Sequence, residues 1–315
     1  MLGSQLVISA LQRRGVTTIF SLSGNQIMPL YDACIDAGIR IVHVRHEAAA
    51  VFMADAWAQI TGEVGVAMLT AGPGITNGIA PLYSAAQAES PVLLISGDSS
   101  IAEDGKGAFQ AMDQTAITSP LTKLSHRPMS AAQLACSVDL AVNTAMAPRR
   151  GPVHLALPFD LLSTESGINA LPAVPPALES PALDAKSQNM LTELLSNAQR
   201  PLILAGPTWA REHMREARAR LQGALQVPIV AMESPRGLND PSLGTLRDLL
   251  AQSDLVVLAG KSLDFTLGFG AGKTFNDNAQ IAVLEPDKRM LERAQSLLGN
   301  RLTLACQVDA LQALT

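Results

Sequence analysis

The chain has 315 residues, of which 48% are hydrophobic, 16% charged and only 3% aromatic, with a formal net charge of -5 and a pI near 5.5. That length favours two domains over one, and the apolar content argues against a disordered chain. The acidic balance without any basic run speaks against nucleic acid, and no apolar run reaches membrane-spanning length. Cys34, Cys136 and Cys306 are too few and too scattered for a disulfide framework or a zinc site, so a soluble cytoplasmic protein is expected.

Ser4 is suited to cap a first helix whose apolar positions Leu6, Val7, Ala10 and Leu11 share a face, with Gly15 ending it. A β-rich run, residues 17–22 (TTIFSL), leads into the turn Ser23-Gly24-Asn25, and Pro29 fits the start of a second helix that ends at Gly38. A short strand over 39–44 then feeds Arg45-His46-Glu47 and an alanine-rich helical segment that stops at Gly62. Glu47 therefore stands where a strand hands over to a helix, the edge at which open α/β sheets bind ligands. A carboxylate in a helix's first turn also favours the macrodipole, so the position alone suits a cap as well as a site.

Residues 64–70 (VGVAMLT) read as a buried strand, followed at once by Ala71-Gly72-Pro73-Gly74-Ile75-Thr76-Asn77-Gly78, a helix over about 79–88 and a strand over 92–96. Such strand–helix alternation with short connections predicts a parallel α/β sheet. Residues 98–120 lack apolar periodicity and read as a functional loop carrying Gln110. A helix over 131–146 and a strand over 153–157 complete a first domain, residues 1–162. The Pro/Ser-rich stretch 163–184 reads as a linker. Residues 185–315 repeat the pattern, with a helix over 185–197, strands near 201–205, 228–232, 254–259, 280–284 and 302–305, and a helix carrying Arg211, Arg215, Arg218 and Arg220. The fold class expected is α/β, two doubly wound domains with mainly parallel sheets.

Several motifs fail on inspection. Gly72-Pro73-Gly74 with Gly78 has the spacing G-x-G-x-x-x-G, one residue off a dinucleotide fingerprint. Gly260-Lys261-Ser262 and Gly272-Lys273-Thr274 lack the first glycine of a P-loop, Leu255 and Leu267 standing in its place, and read as loop lysines. His46-Glu47 begins a zinc-protease pattern that Ala50 breaks, and Ser96-Gly97-Asp98-Ser99 is no hydrolase elbow. What survives is a constellation: Gly24, Glu47, Gly72-Pro73-Gly74 and Gln110 all fall after strands or in loops, on one edge if the sheet is parallel. A helix-start carboxylate, a backbone-exposing turn and a polar loop suit a small heteroaromatic ring.

The segments GVTTIFSLSGNQIMPLYDA, RHEAAAVFMADAWAQITG, VGVAMLTAGPGITNGIAPLYSA, PVLLISGD, AFQAMDQTAITSPLTK and RRGPVHLALPFD, in this order and spacing, resemble the N-terminal half of the thiamine-diphosphate-dependent enzymes of the acetolactate synthase group. PRGLNDPSLGTLRDLLAQSDLVVLAGKSLDFTLGFG resembles the family's central domain more weakly. The resemblance implies a pyrimidine-binding first domain in which Glu47 is the cofactor-activating glutamate. Its carboxyl would hydrogen-bond the aminopyrimidine ring and favour the imino tautomer that takes the thiazolium proton. Gly24, Pro73, Gly74 and Asn77 would line the cofactor, and Phe109 and Gln110 would lie on the substrate side. The alanines after Glu47 would let that helix pack closely, against a second subunit.

Two departures stand out. Ser23-Gly24 replaces the family's usual Pro-Gly, and the Gly-Asp-Gly segment with its spaced asparagine, which holds Mg²⁺ and the diphosphate, is not found; Gly97-Asp98-Ser99 is not that motif. The resemblance thus implies the pyrimidine half of a thiamine diphosphate site, with Mg²⁺ bound only through a missing or partner domain and no metal set of the chain's own. It carries no flavin signature. A homo-oligomer, or a complex with a diphosphate-domain chain, acting on a 2-oxo acid as carboligase or decarboxylase would follow, inactive without that domain. The alternative is a non-catalytic dimerisation or nucleotide-binding regulatory protein that retains the fold.

Overall fold

The strand–helix alternation becomes two all-parallel sheets. The computed structural model describes residues 1–315, apart from the side chain of Lys273, and its contacts divide the chain into Met1–Leu178 and Glu179–Thr315. The first unit runs α1 (Gly3–Arg13), β1 (Thr18–Ser21), α2 (Met28–Ala37), β2 (Arg40–His43), α3 (Glu47–Thr61), β3 (Gly65–Leu69), α4 (Pro73–Asn77), α5 (Ile79–Gln87), β4 (Val92–Asp98), α6 (Gln114–Thr118), β5 (Ser125–His126), α7 (Ala131–Met146), β6 (Val153–Pro158) and α8 (Phe159–Ser163). Its strands lie in the order β2-β1-β3-β4-β6-β5, every pair parallel.

Helices cover both faces of this sheet, which is why β3, β4 and β6 are buried along their whole length and are mostly apolar. The two-residue side-chain period divides the strands between the layers. Ile19, Val66, Met68, Leu93, Ile95 and Leu155 pack with Val7 and Leu11 of α1, Leu30 of α2 and Leu134 and Val138 of α7. Phe20, Ala67, Leu69 and Leu94 point the other way, onto Ala50, Val51 and Ala54 of α3 and Leu82 and Ala85 of α5. Part of the reason for the alanines of α3 is therefore this chain's own sheet. A Cβ at Gly65 of β3 would run into the carbonyl of Ala54, so helix and strand meet at backbone distance.

Three local expectations for the first unit change. Leu2, not Ser4, is the N-cap of α1; Gln5 Oε1 accepts from Leu2 N at 2.9 Å, and Ser4 is buried inside the helix. The stretch 98–120 is not wholly irregular, because Asp98 ends β4 and Asp113 caps the five-residue α6, accepting from Ala116 N at 2.9 Å. Residues past 163 are not free of the first unit: Arg13 donates to the carbonyl of Pro172 at 2.5 Å and Asn143 Nδ2 to that of Pro176 at 2.8 Å.

The second unit runs α9 (Ala185–Asn197), β7 (Pro201–Ala205), α10 (Arg215–Leu225), β8 (Ile229–Ala231), α11 (Leu246–Gln252), β9 (Leu255–Ala259), β10 (Gln280–Leu284), α12 (Lys288–Leu298), β11 (Leu302–Cys306) and α13 (Ala310–Leu314). Its sheet, β11-β10-β9-β7-β8, is also parallel and has an apolar layer on each face. Arg211 precedes α10 instead of joining it. Lys261 sits in the loop after β9, its ammonium donating to Thr266 Oγ1 at 2.7 Å and to the Ser262 carbonyl at 3.0 Å, while the side chain of Lys273 lies outside the described residues. Among the described residues no helix is long and apolar enough to cross a membrane.

Candidate functional site

In the first sheet β1 is flanked by β2 on one side and β3 on the other. The chain therefore leaves β1 toward one side of the sheet and β3 toward the opposite side. The loops after these two strands diverge, and a crevice opens between them at the carboxyl ends of the strands. Gly24 follows β1, Gly72-Pro73-Gly74 follows β3 and leads into α4, and Glu47 follows the neighbouring β2 as the first residue of α3. The order of the strands alone brings these residues to one edge.

The cap of α3 is His46, whose Nδ1 accepts from Ala48 N at 3.1 Å. Glu47 sits in the first turn, where its charge favours the helix dipole, but its carboxylate is directed elsewhere. Oε2 accepts from Asn77 Nδ2, at the far end of α4, at 2.9 Å. Among the described residues no hydrogen bond is made to Oε1, and Glu47 is only partly buried. A carboxylate oriented by one amide, with its second oxygen unengaged, is suited to accept a hydrogen bond from a ligand ring.

The crevice wall is built around Thr70. A Cβ at Gly24 would fall on the Thr70 side chain, and one at Gly74 would come within 2.7 Å of Thr70 Cγ2. Gly72 adopts φ +59°, and a Cβ there would lie 2.9 Å from Cβ of Gln110, itself at φ +60°. The glycines thus let the loops after β1 and β3 and the loop after β4 close on one another. Thr70 Oγ1 donates to Gln26 Oε1 at 2.6 Å, and Gln26 Nε2 reaches the carbonyl of Phe109 at 3.5 Å. Gln110 is therefore brought to the Gly72 turn, while the Phe109 ring stays 74% exposed.

Gln26 and Thr70 are the residues that the sequence reading missed. Both lie inside segments that match the family, but only the folded loops reveal that Gln26, 4% exposed, joins three of them. Asp98 is engaged in internal hydrogen bonds. Its Oδ1 accepts from Ser99 N at 2.8 Å and Gln114 Nε2 at 2.9 Å, and its Oδ2 from Arg127 Nε at 2.5 Å. Among the described residues no group of three or more His, Cys, Asp or Glu is placed to hold a metal ion. Deeper in the sheet, His154 of β6 is buried among hydroxyls: Nε2 pairs with Ser96 Oγ at 2.8 Å, and Nδ1 lies 2.9 Å from Thr118 Oγ1 and 3.1 Å from Ser125 Oγ. Burial pushes its pKa down to about 3, so the ring is neutral.

Comparison with known proteins follows the same division of the chain. Residues 1–117 match the model of the thiamine pyrophosphate enzyme N-terminal TPP binding domain, and residues 189–307 that of the same family's central domain. An acetolactate synthase large subunit from Mycobacterium tuberculosis is 33% identical over 293 residues, covering 90% of this chain and 53% of that protein. The 2-hydroxyacyl-CoA lyase 2 of Homo sapiens is 33% identical over 335 residues, covering 91% and 51%. The chain thus spans about half the length of these curated relatives. The fold matches a thiamine diphosphate-dependent 4-hydroxybenzoylformate decarboxylase from Rhodococcus jostii RHA1 with a TM-score of 0.80 at 23% identity, covering 100% of this chain and 62% of that one. The chain belongs to the thiamine pyrophosphate enzyme family and carries its N-terminal and central domains.

Proposed function

We propose that residues 1–178 form the pyrimidine half of a thiamine diphosphate site in an acetolactate synthase-like carboligase or decarboxylase acting on 2-oxo acids. The observation that carries this reading is the Glu47 carboxylate at the start of α3, on the sheet edge where the strand order calls for a crevice, held by Asn77 through one oxygen with the other unengaged. When bound, thiamine diphosphate supplies a nucleophilic thiazolium carbon and an electron sink for the 2-oxo acid. Glu47 would accept the ring N–H of the aminopyrimidine and hold the proton balance of that ring. Asn77 would keep the carboxylate turned toward the crevice. Gly24 and Gly74, which leave room for the Thr70 side chain, would line the flat ring together with Pro73. Phe109 and Gln110 would face the 2-oxo acid.

The diphosphate and its Mg²⁺ would be held by a domain outside residues 1–315, in a longer form of this chain or in a partner. Those charge-assisted contacts are the strong ones, so the 315-residue chain alone would bind the cofactor weakly and turn nothing over. Association is supported by apolar side chains on the outer side of the second layer: Phe52 and Ile60 of α3 and Tyr83 of α5 are 50%, 74% and 54% exposed. Such a face fits a homo-oligomer. The test is calorimetric titration with thiamine diphosphate and Mg²⁺ together with an assay of pyruvate turnover, comparing the wild-type chain with Glu47→Gln in the presence of a family diphosphate-binding domain. Loss of about 10²-fold or more in turnover of the reconstituted site is expected for Glu47→Gln, the range of a general acid–base group. Equal binding and equal turnover would remove Glu47 from the chemistry.

A further inference from the structure

Arg127 follows β5 and has no part in the crevice as described so far. Its guanidinium nevertheless joins two pieces of backbone that frame the crevice. Nε donates to Asp98 Oδ2 at 2.5 Å, Nη1 to Asp104 Oδ2 and Nη2 to Asp104 Oδ1, both at 2.9 Å, and Nη2 also to the carbonyl of Ser99 at 3.2 Å. The Asp104 pair is a two-pronged fork, a geometry that a guanidinium can make and an ammonium cannot.

The two carboxylates are unequal. Asp98 is 4% exposed at the end of β4 and is bonded to Gln114 and to Ser99 N, so it belongs to the rigid sheet. Asp104 is 45% exposed by side chain and sits in the loop after β4. That loop has a second tether at its start, where Asp160 Oδ1 accepts from Ile101 N at 3.1 Å. Beyond Asp104 come Gly105 and Gly107, at φ +75° and +72° with open space around them, and then Phe109 and Gln110 against Gln26 and Gly72. One arginine thus ties the loop to the sheet immediately before its two-glycine stretch.

We propose that Arg127 is a positioning residue for the crevice: by clamping Asp104 to Asp98 it holds the loop so that Phe109 and Gln110 stand at the Gly72 turn, and so sets the affinity for the occupant without touching it. Without the clamp, the loop's conformational freedom is lost only on binding, and that ordering cost is subtracted from affinity. The pyrimidine-site reading enters only in naming thiamine diphosphate as the occupant.

Asp104→Ala is the informative variant, because it releases the loop while Arg127 stays paired with buried Asp98. Arg127→Lys keeps a charge beside Asp98 and loses the fork. Arg127→Ala strands a buried carboxylate and costs stability as well. The full 315-residue chain would be followed by hydrogen–deuterium exchange of residues 100–112 and by titration with thiamine diphosphate and Mg²⁺, alone and with a family diphosphate-binding domain. Asp104→Ala and Arg127→Lys are each expected to raise exchange over 105–112 about tenfold, with exchange in β3 and β4 unchanged, and to weaken binding by a similar factor. The double variant should add little to either. Unchanged exchange over 105–112 in a folded Asp104→Ala protein would overturn the clamp. Faster exchange with undiminished affinity would overturn its positioning role. Faster exchange in the variant together with no thiamine diphosphate binding by wild type in either setting would uphold the clamp and remove the occupant.

Discussion

Thr70 shows how the site is specified at the scale of a residue. Its side chain fills the space that a Cβ at Gly24 or Gly74 would need, and its hydroxyl orients Gln26. Overpacking of this kind costs about 1–3 kcal/mol. Gly74→Ala is therefore expected to lower the thermal midpoint, and Thr70→Ser, which removes the Cγ2 met at 2.7 Å, to recover part of the loss. Additive effects in the double variant, measured by denaturant unfolding, would show that the two positions do not meet. The place of Glu47 at a strand-to-helix junction was legible in the sequence because that is a local pattern, whereas its proposed role rests on the family resemblance. Arg127 and Gln26 were not, because what defines them is a partner 29 residues away in one case and 83 in the other. A single chain read in order carries no signal for such pairs.

At the scale of elements, α7 and the fully buried strands were legible because they are long enough to show a period or an unbroken apolar run. α6, α8 and β5, at five, five and two residues, show neither. His154 links several of these pieces, since β6 carries the ring and Ser96 of β4, Thr118 of α6 and Ser125 of β5 surround it. The folded ring has a pKa near 3, against 6.5 for the free side chain. Between those values the unfolded chain binds a proton that the folded chain refuses. Stability is thus complete above about pH 6.5 and falls as the pH drops below it, by about 2 kcal/mol at pH 5. Melting curves from pH 7.5 to 5 should show this loss, and His154→Gln should flatten it; an equally steep curve in the variant would place the proton elsewhere. For α3, the inner alanines pack on the chain's own sheet, and the proposed association would cover its exposed outer residues. Phe52→Asp is expected to reduce the mass seen by light scattering and to make the melting temperature independent of protein concentration. A wild-type chain that is already monomeric at high concentration would refute that use of the face.

At the scale of the whole molecule, parallel α/β architecture in both halves followed from alternating strands and helices, and the strand order then determined where a ligand edge could lie. The sequence pattern did not reveal that order; pairing β1 between β2 and β3 is a tertiary choice, and it is what collects Gly24, Glu47 and the Gly72 turn. The two family domains found here account for about half the length of the full-size relatives. The pyrimidine half-site is tested most directly by assaying turnover of pyruvate with thiamine diphosphate and Mg²⁺, using the chain alone, the chain with a diphosphate-binding domain from a family member, and the same pair carrying Glu47→Gln. Activity is expected only in the wild-type pair, with Glu47→Gln reducing it by about 10²-fold or more. Turnover by the 315-residue chain alone, or a reconstituted pair indifferent to Glu47→Gln, would contradict it.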